Sequence, residues 1–197
     1  MMSLDYYTKY ADEFYHRTIH RDMSDCYRRF LSFIPSKGKI LDAGCGVGRD
    51  AKYFRDAGYS VVAFDGCEAM VQMSTQVLGQ PTLRLLFQEM DFKEEFDGVW
   101  SCAALLHVPY EDTLDVFKKI HGSLKPRGIF YACYKQGQEK MTIGERDFYN
   151  MDPTTILPYF QGLFEVIHMW DSPDSTSQVA PSPSKSWFNF LVRKWGN

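Results

Sequence analysis

The stretch from Lys39 to Phe64 limits the possible folds more than any other part of the chain. Lys39 to Ala43 reads as a buried strand and Gly44 to Gly48 as a glycine turn, followed by a helix from Asp50 to Ala57 that Gly58 stops before a second strand, Ser60 to Phe64. Small residues in Asp42-Ala43-Gly44-Cys45-Gly46-Val47-Gly48 let the backbone bend sharply and leave its N–H groups open to a ligand. A strand, turn, helix and strand in this order is the signature of a parallel sheet with helices on its faces.

The rest of the chain extends the same theme. Met23, Cys26, Tyr27, Phe30, Leu31 and Ile34 form one apolar helical stripe over Asp22 to Ile34, ended by Pro35 and the turn Ser36-Lys37-Gly38. Helical spacing recurs over Cys67 to Leu78 and Tyr110 to Leu124. Strands are expected at Leu83 to Phe87, Phe96 to Cys102 and, after the Lys125-Pro126-Arg127-Gly128 turn, Ile129 to Tyr134. Residues 135–152 read as polar and irregular, Thr154 to Phe160 as a short helix, and Leu163 to Trp170 and Trp187 to Arg193 as strands. No helix separates those last two strands, so they should form an antiparallel hairpin at the end of the sheet. Their proline-bearing connection, Asp171 to Ser186, is a candidate substrate lid on the glycine-turn rim.

Charge and cysteine usage narrow the class of function. The 22 Lys+Arg and 25 Asp+Glu leave a net charge of -3, which removes the general attraction that nucleic-acid and anionic-membrane binders use. Cys26, Cys45, Cys67, Cys102 and Cys133 are far apart, with no C-x-x-C pair and no His at ligand spacing, so reduced thiols and no metal are expected. The first residues lack the positive segment and apolar run of a signal peptide. Val99 to Val108, the most apolar stretch, is much shorter than the roughly 20 residues that cross a bilayer. A cytoplasmic location is the expectation; the oligomeric state is not readable.

Two acids give the glycine turn its chemistry. Asp65 ends the next strand about 20 residues past Gly44, where an acid binds ribose hydroxyls through hydrogen bonds of roughly 1.5–3 kcal/mol each. Asp42 precedes the first glycine and would oppose the pyrophosphate of a nicotinamide dinucleotide, whereas S-adenosylmethionine brings an ammonium and a sulfonium. Arg49 replaces the third glycine of G-x-G-x-x-G and, with the turn N–H groups, can meet that ligand's carboxylate. The charges therefore favour S-adenosylmethionine.

With these residues the chain resembles the class I S-adenosylmethionine-dependent methyltransferases from about Tyr6 to Lys194. Leu41 to Gly48 is similar to the family's first motif, Ala63-Phe64-Asp65-Gly66 to its ribose-binding acid, Phe96-Asp97-Gly98-Val99-Trp100 to its fourth strand, and Leu124 to Gly128 to the turn before its fifth. Gly48-Arg49-Asp50 looks like the small tellurite-resistance-like members. The resemblance implies an α/β fold, a Rossmann-like three-layer sandwich whose seven-stranded, mostly parallel sheet has its last strand antiparallel. It also implies one domain, with an N-terminal lid and helix in 1–35, a cofactor-binding core in 36–134, and C-terminal strands and substrate-side loops in 135–197. By motif position Gly44, Cys45, Gly46, Gly48 and Gly66 adjoin the cofactor. Met70 packs on the adenine, Gln88 or Glu89 reaches its edge, Ala103 to Leu106 line the cofactor, and Tyr7, Tyr10 and Tyr15 close over its methionine end.

The acceptor side is less legible, because an activated methyl donor mainly requires a nucleophile held in line with the S–CH₃ bond in a dry site. His107 is the one candidate general base, against the plainer reading in which it packs the turn with Pro109. Arg146 and Asp147 are candidate substrate ligands, against a solvated loop pair; Trp187, Phe188 and Phe190 are a candidate aromatic cage, against ordinary core and surface faces. Ser101-Cys102-Ala103-Ala104 stands where methyltransferases of base amines carry Asn/Asp-Pro-Pro-aromatic, which argues against nucleic acid as partner. The expected function is methyl transfer to a small molecule, a soft oxyanion or thiol if the tellurite-resistance resemblance holds. The rival is a protein that binds the cofactor and regulates a partner without transferring a methyl group.

Overall fold

In the computed structural model, residues 2–173 and 186–196 are described. Two short helices, α1 (Met2–Lys9) and α2 (Ala11–Thr18), precede α3 (Ser24–Leu31). They are followed by β1 (Lys39–Ala43), α4 (Arg49–Asp56), β2 (Ser60–Asp65), α5 (Glu68–Leu78), β3 (Leu83–Arg84), β4 (Phe96–Cys102), α6 (Tyr110–Ser123) and β5 (Leu124–Lys135). The chain then forms β6 (Lys140–Ile143), β7 (Arg146–Tyr149), α7 (Pro153–Phe160), β8 (Phe164–Pro173) and β9 (Ser186–Lys194). The main sheet has seven strands in the order β3-β2-β1-β4-β5-β9-β8, with β9 antiparallel to both its neighbours and the other pairings parallel. This is the expected α/β sandwich.

Strand periodicity builds the two cores. Successive side chains point to opposite faces, so Ile40, Trp100 and Tyr131 face α3 and α4 with Phe30 and Phe54, while Leu41, Val99 and Phe130 face α6 and α7 with Phe117 and Phe160. β1 is buried on both faces because it is central and parallel on both edges. α7 starts where the Asp152 carboxylate accepts the N–H groups of Thr154 and Thr155, each at 2.9 Å, an N-cap that frees Pro153 to occupy the first turn.

Four expectations need correction. Residues 135–152 are not irregular: β6 and β7 pair as an antiparallel hairpin, with Gly144 at φ 61° in its turn. β3 pairs only through Leu83 and Arg84, after which the chain tightens into a 3-10 turn at Phe87–Glu89 instead of continuing as strand. β5 begins at Leu124, not Ile129; the Lys125–Gly128 turn is absorbed as an irregularity between the pairs Phe96–Leu124 and Gly98–Ile129. Asp171 to Pro173 belong to β8, and the remainder of the expected lid, 174–185, lies outside the described residues. Among the described residues no helix is long and apolar enough to cross a membrane.

Gly98 shows how closely α3 lies on the sheet. A Cβ there would fall 2.6 Å from both Ile34 Cδ1 and Phe30 Cζ, inside the most buried part of that core. Gly98→Ala should therefore destabilise the fold by about 1–3 kcal/mol through overpacking. Urea unfolding with a midpoint equal to that of the parent chain would refute this packing.

Candidate functional site

A cavity of about 1710 Å³ opens at the C-terminal ends of β1, β2, β4 and β5. Single-ligand pockets are typically about 300–1,000 Å³, so this one has room for a cofactor and an acceptor together. Its floor is the turn after β1. Gly44, Gly46 and Gly48 have φ of 72°, 53° and 83°, and the N–H groups of Gly44 and Cys45 both donate to the Phe64 carbonyl at 2.9 Å, which ties the turn to β2. A Cβ on Gly44 would stand 2.4 Å from Ala104 Cβ, so only glycine allows this approach of the turn to the segment after β4.

Asp65 lines the cavity from the end of β2. Burial pushes its carboxyl above the usual range, opposed by the N–H groups that meet it: Gly46 donates to Oδ2 at 2.9 Å and Cys67 to Oδ1 at 2.8 Å. Each oxygen keeps a lone-pair site, which matches a vicinal diol.

Asp42 departs from its expected role. It is 1% exposed and does not line the cavity. The alternation of β1 turns it to the face shared by Ile40, toward α4. Burial, and next the neighbouring Asp50 carboxylate, push its pKa up, and its Oδ2 has no hydrogen-bond partner among the described residues.

Asp50 takes the position at the cavity wall instead, a role that sequence reasoning did not assign. Its carboxylate accepts the Tyr27 hydroxyl from α3 and the Trp100 indole N–H from β4 at 2.9 Å. It also pairs bidentately with Arg49, at 2.6 and 2.9 Å. Burial raises its pKa, but Arg49 and these donors outweigh that and hold it below the usual carboxylate range. Arg49 is thereby committed: beyond Asp50 it reaches the Thr18 carbonyl at 3.3 Å and Cys102 Sγ at 3.6 Å. The signal was present in Gly48-Arg49-Asp50, an adjacent ion pair opening a helix.

Most other expected residues line the cavity; Tyr10, Tyr15, Gly48, Glu89, Leu105 and Leu106 do not. Tyr7, Cys45, Gly46, Gly66, Met70, Gln88 and Ala103 are part of the wall. Glu89 is absent from it because its Oε2 accepts the Leu86 N–H at 2.9 Å and closes its own 3-10 turn. Leu106 is 1% exposed and packs in the α6 core, leaving Ala104 and His107 on the wall. Tyr15 lies edge-on to His16, off the face of α2 that carries Phe14, Arg17 and Thr18 to the cavity. Phe188 and Phe190 are core, while Trp187 lines the cavity under Lys135 Nζ, 4.2 Å from the ring centre. Arg146 and Asp147 stand on β7 instead of in a loop and also line the cavity. Among the described residues no group of three His, Cys, Asp or Glu is placed to hold a metal.

His107 is fixed by both ring nitrogens. Nδ1 lies 2.7 Å from the Asp147 carbonyl, which can only accept, so Nδ1 carries the hydrogen and Nε2 accepts from the Tyr7 hydroxyl at 2.9 Å. Burial lowers its pKa to about 4. The ring is thus neutral at ordinary pH, with its lone pair already occupied, and serves to position Tyr7.

The comparisons agree with this geometry. A family model described as a methyltransferase domain matches residues 41–132. The chain is 32% identical over 106 residues to YqeM of Bacillus subtilis, a protein named as a methyltransferase, covering 49% of this chain and 42% of that one. It is 34% identical over 103 residues to sterol 24-C-methyltransferase erg6 of Aspergillus fumigatus, covering 47% and 26%. The chain therefore spans less than half the length of these two relatives. The crystal structure of Burkholderia thailandensis 1,6-didemethyltoxoflavin-N1-methyltransferase, with its substrate and S-adenosylhomocysteine bound, superimposes with a TM-score of 0.77 at 20% identity, covering 96% of this chain and 85% of that one.

Two outcomes follow from the site. Asp50→Ala leaves Arg49 without its buried counter-ion and should cost about 3–5 kcal/mol of stability in chemical denaturation, and an unchanged stability would refute the network. For His107, nitrogen-15 NMR should show the Nδ1–H tautomer with no titration down to about pH 4. Because the unfolded ring takes up its proton first, near pH 6.5, His107 contributes its full stability above that value and loses it as the pH falls toward its folded pKa. A midpoint near 6.5 in the folded protein would contradict the buried arrangement.

Proposed function

We propose that this chain is a class I S-adenosylmethionine-dependent methyltransferase that moves the methyl group of that cofactor to a small-molecule acceptor, a reading that the methyltransferase-domain match over residues 41–132 and the likeness of fold support. The observation that carries the reading is the pairing, in one cavity, of the open glycine turn with the Asp65 carboxylate. The residues present suit the group: Asp65 for the ribose diol, Met70, Phe87 and Gln88 for the adenine, the turn and Arg17 for the methionine carboxylate.

The cofactor supplies an activated methyl group on a sulfonium. What the chain supplies is placement and exclusion of water. The turn and Asp65 fix the nucleoside; Tyr7 and Phe14, with ring centres 5.0 Å apart, cover the opening over the turn. His107 orients the Tyr7 hydroxyl, which stands where an acceptor proton can be received or relayed. The Burkholderia enzyme, whose acceptor is a small molecule, supports the acceptor class by likeness of fold.

Isothermal titration with S-adenosylmethionine, S-adenosylhomocysteine and a nicotinamide dinucleotide tests the reading: the first two should bind and the third should not. Asp65→Ala should weaken S-adenosylhomocysteine by roughly 1.5–3 kcal/mol, the loss of one charged hydrogen-bond set. Binding of the dinucleotide, or an affinity unaffected by the substitution, would overturn it, and binding without turnover on any acceptor would favour the regulatory rival.

A further inference from the structure

The hairpin that the sequence hid carries into the cavity a cation beside the Tyr7 hydroxyl that is paired with no carboxylate among the described residues. Arg146, the first residue of β7, has its guanidinium carbon 4.2 Å from the centre of the Tyr6 ring and 5.0 Å from that of Phe148. Its Nε is buried without a hydrogen-bond partner, and no carboxylate among the described residues pairs with it. The acid beside it is engaged elsewhere, since the Asp147 carboxylate pairs with Lys140 at 2.9 Å and accepts from Thr142 at 2.7 Å. Two other guanidinium groups on the wall are matched, Arg49 by Asp50 and Arg29 by Asp25. A buried N–H left unmade is costly, and in a native fold it points to a partner that arrives from outside the chain.

We propose that Arg146 binds an anionic group, a carboxylate or a comparably delocalised oxyanion, on the acceptor. The inference rests on the methyltransferase reading and deepens it by naming the acceptor's chemistry. Guanidinium presents a planar fork that meets two oxygens at once, and the Tyr6 and Phe148 rings hold that plane in place. Tyr7 and His107 adjoin it: the His107 ring centre is 5.1 Å from that of Phe148 and 5.6 Å from that of Tyr7, so the anchored group lies next to the hydroxyl that would meet the reacting atom. The cofactor's own carboxylate has a separate cation. Arg17 lies over Phe14, whose ring stands 3.4 Å from where a Cβ on Gly46 would be, directly above the glycine turn.

The test uses the chain saturated with S-adenosylhomocysteine and titrated with benzoate and its neutral isostere benzamide. Benzoate should bind the parent chain about tenfold tighter than benzamide or more, as a charged hydrogen-bond pair requires. Arg146→Gln should bring the two to equal affinity, and Arg146→Lys should restore part of the preference, while S-adenosylhomocysteine binds all three proteins alike. No preference for benzoate in the parent chain, or the same preference in Arg146→Gln, would overturn the proposal and leave the cofactor reading standing. A tenfold or greater loss of S-adenosylhomocysteine affinity in Arg146→Gln would assign Arg146 to the cofactor's carboxylate and also overturn it. A parent chain that fails to bind S-adenosylhomocysteine would overturn both readings.

Discussion

The rest of the site depends on a single buried anion. Asp50, at the start of α4, receives donors from α3 through Tyr27, from β4 through Trp100, and from its own neighbour Arg49. A carboxylate at a helix N-terminus is favoured by the helix dipole, and here the guanidinium neutralises what the dipole does not. Three elements that share no backbone hydrogen bonds are thereby held around one group. The glycine turn sits between them, so its shape is set by this contact as much as by its own lack of side chains.

The three acids near that turn differ in state because their surroundings differ. Asp50 is ionised against Arg49; Asp42, buried and facing that charge, is pushed toward its neutral form; Asp65 is held by backbone N–H groups at the rim. Asp65 thus presents its carboxyl at the cavity rim, while the Asp50 charge inside is balanced by Arg49. This arrangement also explains why a count of acids around the turn is a poor guide to what a ligand meets.

The strand–turn–helix–strand unit, its glycine turn and the position of Asp65 were legible in the sequence because each follows from a local rule: periodicity, glycine at left-handed φ, and an acid ending the second strand. Side-chain facing was not. Asp42 left the place expected of it and Asp50, for which none was expected, stands on the wall, since strand alternation and helix phase, which set where each points, depend on pairing partners far along the chain. The same helix phase put Phe14 and Arg17 on the wall and Tyr15 off it. Glu89 was lost to a bond within its own turn. The β6–β7 hairpin escaped notice because its strands are only four residues each and half polar, although Gly144 between Ile143 and Glu145 was a turn signal.

One imidazole has a wider reach than its chemistry suggests. Through Tyr7 and the Asp147 carbonyl, His107 joins the first helix of the chain to a hairpin more than a hundred residues later. Changes in those two segments are therefore energetically coupled: effects of substitutions in one should not be summed with effects of substitutions in the other, and a double-mutant cycle across His107 would measure the linkage directly. In evolutionary terms, the N-terminal helix and the hairpin would have to diverge as a pair.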